Sequence, residues 1–190
     1  MFRCSGLAMI VTLLGASAWA SPHWNVSLGY LSWQETLTLQ SGTAKDFGSS
    51  NFSGNNLNLS YEGDFGQSPH GWRVDGGFSA GTATAGGNQA LLVYQSSNVP
   101  WTGENLSVLY RLQLSPTMTL AAGPLALARQ ISYPTVTNST TTATSGASVN
   151  FGAQGNLRFN LTPTWNVQFL MGALGSNANT LWDFSIGYLF

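Results

Sequence analysis

The side chains able to do chemistry are few: seven acids, six cations and two histidines in 190 residues. Six charged groups, Glu62, Arg73, Asp75, Arg111, Arg158 and Asp183, stand within or at the end of segments in which apolar and polar residues alternate. Acids and guanidiniums that face one another in a confined interior either pair and neutralise one another or, where the pairs open reversibly, gate a path for ions. Replacing Arg73 and Arg111 together and measuring conductance separates these readings. Catalysis demands more, because a nucleophile must lie within hydrogen-bond reach of its base. His23 and His70 are the available imidazoles, and neither has a serine and an orienting acid at convincing spacing. Glu35, Asp46, Glu104 and Asp183 belong at the opposite end of the expected elements from His70. The chain therefore reads as non-enzymatic, with no catalytic residues. Two scattered histidines and one cysteine, Cys4, make no metal site, and nothing implies a cofactor.

The charged face has to be presented by strands. Trp182, Phe184, Ile186, Tyr188 and Phe190 occupy every second position at the end of the sequence, opposite Asp183, Ser185 and Gly187. Successive side chains of a strand point to opposite faces, so this is one apolar stripe and one polar stripe. Phe151 to Leu161, Trp165 to Met171, Leu106 to Leu114 and Trp72 to Ala80 alternate likewise. Such segments have the length, about 9 to 11 residues, of a tilted strand crossing a bilayer.

Three more strands are expected. Trp24, Val26, Leu28 and Tyr30 open the first, with a bulge anticipated where the parity blurs at Leu31 and Trp33. Leu57, Leu59 and Tyr61 mark the second. Leu120 to Ile131 is interrupted by Pro124, which cannot donate to a ladder, so a bulge or edge-like distortion is expected there and the facing stays open.

Connections alternate in length. Gln40 to Asn51, Thr82 to Pro100 and Ser132 to Ser148 are long and rich in Gly, Ser, Thr and Asn, whereas "SPT" before Met118 and "TPT" before Trp165 are short, with Gly63 to Gly71 somewhat longer. The polar run "TVTNSTTTATSGASVN" reads as a solvated hairpin extension, or alternatively as an adhesive loop.

Residues 1 to 20 read as an export signal. Arg3 gives a basic start, Leu7 to Leu14 an apolar centre, and Ala18-Trp19-Ala20 a cleavage site before Ser21. The apolar run is short of the roughly 20 residues of a membrane helix. The expected mature domain, 21 to 190, has five cations against seven acids, a net charge of −2, and no cysteine. That balance excludes a basic footprint for nucleic acid. Charged residues are 7% of the chain, against about a quarter in ordinary soluble domains. A soluble sandwich alternates too, but its wet face usually carries Lys and Glu, and here that face is mostly Asn, Gln, Ser and Gly. Apolar side chains on the other face then meet lipid, and a sheet in hydrocarbon must close because each unpaired backbone group costs several kcal/mol. The expectation is all-β: an eight-stranded antiparallel transmembrane barrel of up-and-down topology, with both termini on one side. Arginine facing lipid at the midplane costs roughly 2 to 4 kcal/mol, so Arg73, Arg111 and Arg158 belong in the lumen with Glu62, Asp75 and Asp183. Trp72, Trp165 and Trp182 sit near strand ends, as interfacial aromatics do.

With its alternating strands and closing "YLF", the chain resembles the small eight-stranded outer-membrane proteins of Gram-negative bacteria, similar to the OmpA barrel domain, OmpX and OmpW. The resemblance implies Tyr188 and Phe190 as a signal for the barrel-assembly machinery, delivery by periplasmic chaperones, contact with outer-membrane lipid and lipopolysaccharide, and a monomer. The sequence departs from the pattern in its sparse charge and in having no following peptidoglycan-binding domain, which argues against a cell-wall tether. The expected role is structural or surface-interacting, carried by extracellular loops. The alternative is a narrow, OmpW-like channel for small or hydrophobic solutes, to which Leu109, Leu170 and Leu189 on inward faces lend apolar lining.

Overall fold

The structure, a computed structural model, describes residues 23–41, 44–86, 98–131, 141–143, 147–175 and 180–190. The expected signal segment, 1 to 20, and most of the two later long connections lie outside them. Nine strands follow in chain order: β1 (His23–Ser41), β2 (Ala44–Asp64), β3 (His70–Gly86), β4 (Val99–Ser115), β5 (Met118–Ile131), β6 (Thr141–Ala143), β7 (Ala147–Asn160), β8 (Trp165–Leu174) and β9 (Thr180–Leu189). All but β6 form one antiparallel meander that closes when β9 pairs with β1, from Asn25 opposite Leu189 to Ser32 opposite Trp182. The seam ends in reciprocal backbone bonds, Trp24 N–H to the Phe190 carbonyl at 3.0 Å and Phe190 N–H to the Trp24 carbonyl at 2.9 Å. Closure gives every barrel strand a neighbour on each side, which is what hydrocarbon demands of backbone groups.

Period-two patterning sets the facing. Leu28, Tyr30, Leu57, Phe78, Val108, Phe151, Phe169, Phe184 and Ile186 point outward and are exposed, forming an apolar belt. Asn25, Ser60, Arg73, Ser107, Gln168 and Ser185 point inward and are buried. Phe184 lies midway along β9, so Phe184→Arg is expected to lower stability by about 2 to 4 kcal/mol in lipid vesicles. Urea unfolding measures this, and an unchanged midpoint would place Phe184 in water.

One end of the barrel carries the short turns. Phe65 N–H bonds the His70 carbonyl at 2.8 Å, and Gly66 takes φ +64°, a left-handed conformation that suits glycine. The Thr162 hydroxyl accepts the N–H of Trp165 at 2.9 Å, turning "TPT" into β8. At the other end, the loop end, wall heights differ: β1 and β2 run for 19 and 21 residues, β8 and β9 for 10 each. The strand β6 pairs with the upper edge of β1, Thr141 to Ala143 against Ser41 to Leu39, beyond the reach of β9.

Three expectations change. The β1–β2 register is unbroken from His23 opposite Glu62 to Ser41 opposite Ala44, so there is no bulge at Leu31 and Trp33, which simply point inward. The same pairing turns most of Gln40 to Asn51, expected as a loop, into strand. In β5, Pro124 faces outward and stays in register with Ala153 of β7. The ladder to β4 is interrupted between Ser107–Leu125 and Tyr110–Ala122, the edge-like distortion expected at the proline, but the register does not change there and the bulge-type shift falls at Gln113 to Ser115.

Candidate functional site

Inward side chains fill the barrel in tiers, and the polar tiers occupy the turn-end half. Nearest the turns, Arg111 forms an ion pair with Asp64, and Arg158 Nη1 lies 2.7 Å from Glu62 Oε1. Beside them Asn166 donates to Asn25 at 3.0 Å and Gln168 to Asn166 at 3.0 Å. Gly187 makes room for this cluster, since a Cβ there would stand 2.5 Å from Asn166 Oδ1 and 2.8 Å from Asn25 Oδ1. Further in, Arg73 is the hub: its Nε donates to Asp75 at 2.5 Å, Nη1 to Asn156 at 3.1 Å and Nη2 to Gln168 at 2.8 Å. Those bonds reach from β3 to β7 and β8 and span the lumen. Above Arg73, Asp183 accepts from Asn56 at 2.7 Å, while Ser79 donates to the other atom of that amide at 2.9 Å. A cavity of about 20 Å³ lies where this tier meets the next, with Asn56, Asn58, Arg73, Asp75 and Asp183 on one side and leucines on the other.

The loop-end half has a different interior. Leu31, Trp33, Phe52, Ala83, Val99, Trp101, Leu125, Leu127, Ile131, Leu170, Leu174 and Leu181 make a buried apolar cluster. Trp33 stacks on Phe52 at 4.7 Å between ring centroids and meets Trp101 edge-on at 4.8 Å. The Trp101 indole N–H is satisfied by the Ser53 carbonyl at 3.1 Å. Over this tier lies a buried ion pair: Arg129 grips Glu35 through Nε at 2.8 Å and Nη2 at 2.5 Å, with its guanidinium 5.2 Å from the Phe52 ring centroid. The fork geometry is the strong, two-point form of this interaction, and it links β5 to β1 across the barrel.

The six charged residues singled out in the sequence all lie inward and buried, but their partners are set by the closed barrel. Glu62 and Arg73 face each other in the β2–β3 register, yet Glu62 pairs with Arg158 and Arg73 with Asp75. Arg111 takes Asp64, and Asp183 takes a neutral amide. Sequence reasoning missed Asp64 and the Glu35–Arg129 pair. A signal for Arg129 existed, because it shares parity with Leu125, Leu127 and Ile131, but an arginine on an otherwise leucine-rich face did not fix that face as interior.

Outside the barrel, Trp24, Tyr61 and Trp72 form a chain of ring contacts at the turn end, as do Trp165, Tyr188 and Phe190. Trp182, outward at the other end of β9, packs on Phe169 at 5.4 Å. The His70 ring meets Tyr110 on this outer surface. Among the described residues no three His, Cys, Asp or Glu side chains come together to hold a metal.

No protein-family model matches the sequence, and no curated relative does either. Solved structures match over 90% of the chain. The attachment invasion locus protein Ail of Yersinia pestis superposes with a TM-score of 0.50 at 15% identity over 99% of its own length. The outer membrane protein OprG of Pseudomonas aeruginosa superposes at 0.52 with 10% identity over 97% of its length. The fold is thus that of the small eight-stranded outer-membrane barrels.

Proposed function

We propose that the protein is an integral outer-membrane barrel doing structural or surface-interaction work through its loop end, and that it conducts no solutes. The observation that carries this reading is the double filling of the lumen, ionic in the turn-end half and apolar in the loop-end half. An eight-stranded barrel has an interior just wide enough for side chains to fill. Leu109 and Leu170, which could have lined a path for apolar solutes, are buried in packing at 1% and 8% exposure. Strand length supports the same reading, since β1 and β2 have about twice the residues a crossing strand needs.

In this topology the turn end and Phe190 face the periplasm, residues 1 to 20 are removed on export, and the domain is 21 to 190. Tyr188 and Phe190 serve as the assembly signal, Trp72, Trp165 and Trp182 sit at the membrane interfaces, and the monomer contacts lipid and lipopolysaccharide. The charge network of Glu62, Arg73, Asp75, Arg111, Arg158 and Asp183 is internal packing, not a gate. Catalysis is not part of the proposal.

Planar-bilayer recording tests it. The purified protein is expected to stay at baseline current, and so is the variant carrying Arg73→Ala with Arg111→Ala, because the apolar tier seals independently. Discrete conductance steps in the unaltered protein would establish the channel reading. A binding screen on intact cells, with the β1–β2 hairpin shortened as the control, then tests the surface role.

A further inference from the structure

Among the described residues each of the four interior arginines forms an ion pair: Arg73 with Asp75, Arg111 with Asp64, Arg158 with Glu62 and Arg129 with Glu35. Among the described residues Asp183 is the remaining interior carboxylate, 2% exposed and held by the Asn56 amide at 2.7 Å and by the Ser185 hydroxyl. Arg73 is within coulombic reach of Asp183 but makes its ion pair with Asp75, so this tier holds one carboxylate more than it holds guanidiniums, and a buried excess of negative charge calls for a positive partner. We propose that the cavity beside Asp183 binds one small monovalent cation of about sodium size.

Two further observations point to such a ligand. The cavity, about 20 Å³, has room for about one water-sized species. Asn58 lines it together with Asp183, and Asn58 Oδ1 is buried without a hydrogen-bond partner in a residue 9% exposed. An unmatched carboxylate and an orphan amide oxygen on one small cavity are the hard oxygen donors that such cations take. Asp75 and Arg73 also line the wall, so its charge is −1, which a single monovalent ion neutralises. Calcium or magnesium would bring two charges to a wall whose net charge is −1, and magnesium also demands a near-ideal octahedron. Leucines close the cavity toward the loop end, so the ion enters during folding or past the arginines at the turn end.

The test uses the full mature chain refolded into uncharged detergent micelles in sodium chloride or in choline chloride at equal ionic strength. The urea midpoint is expected to rise saturably with sodium and not with choline, by linkage to folding. Asp183→Asn is expected to abolish the difference between the salts. Asn58→Ala is expected to raise the half-saturating sodium concentration about tenfold, and it decides the matter should Asp183→Asn not refold. Equal midpoints in both salts overturn the proposal, as does a sodium effect that survives in the Asp183 variant or is unmoved in the Asn58 variant. A midpoint that follows pH and ignores sodium also overturns it, by showing that Asp183 takes a proton instead.

Discussion

Arg129→Ala is expected to lower the unfolding free energy of the refolded barrel by about 3 to 5 kcal/mol, the range for breaking a buried ion pair from one side. The loss arises mainly from Glu35, which is 3% exposed and would be left beside Trp33 and Phe52 without its two-point partner. Replacing both residues, Glu35→Leu with Arg129→Met, is expected to recover most of the loss, because two well-packed apolar side chains remove the burial of charge altogether. Urea titration followed by tryptophan fluorescence measures all three variants. Arg111→Ala supplies the contrast: its partner Asp64 has a side chain 36% exposed, so water can take over and the expected loss is at most about 1 kcal/mol. Equal losses for Arg129 and Arg111 would mean that water reaches the Glu35 tier.

Trp101→Ala is expected to cost about 3 to 5 kcal/mol, the range for emptying a large aromatic from a packed interior. Trp101 is 1% exposed, packs edge-on against Trp33 and lies 6.1 Å from Phe52 between ring centroids. Alanine there removes those contacts and leaves a void that the rigid barrel wall cannot collapse into. Trp182→Ala, on the outer surface and 44% exposed, deletes the same atoms but lets lipid fill the space, so its loss should be markedly smaller. Comparable losses at the two positions would argue against an interior apolar tier.

How far the sequence could be read depended on the contrast between the two faces. In β7 to β9 and in the turn-end halves of β3 and β4, lipid-facing Leu, Phe and Trp oppose Asn, Gln, Arg and Ser, and alternation gives both strand and facing. In the loop-end half the interior is itself apolar. Leu31 and Trp33 lie inward while Leu28 and Tyr30 lie outward, so polarity no longer distinguishes inside from outside, and the pattern imitated a bulge. Leu125 and Leu127 beside outward Ala126 and Ala128 hid the facing of β5 in the same way. The upper β1–β2 hairpin failed for the opposite reason: its sequence from Gln40 to Asn51 is largely polar and small, and backbone pairing imposed strand on a loop-like composition. Ion-pair partners such as Glu62 and Arg158 belong to strands far apart in the sequence. Their meeting is a property of closure, which no local pattern encodes.

Wall height carries a last consequence. From Trp33 to Ser41, β1 continues past its pairing with β9, a run of about 30 Å along the tilted strand at roughly 3.3 Å per residue. Among the described residues the wall is therefore uneven, a tall shoulder at β1 and β2 and a low sill at β8 and β9. Whatever meets this end of the described wall reaches the β1–β2 edge before it reaches β8 or β9.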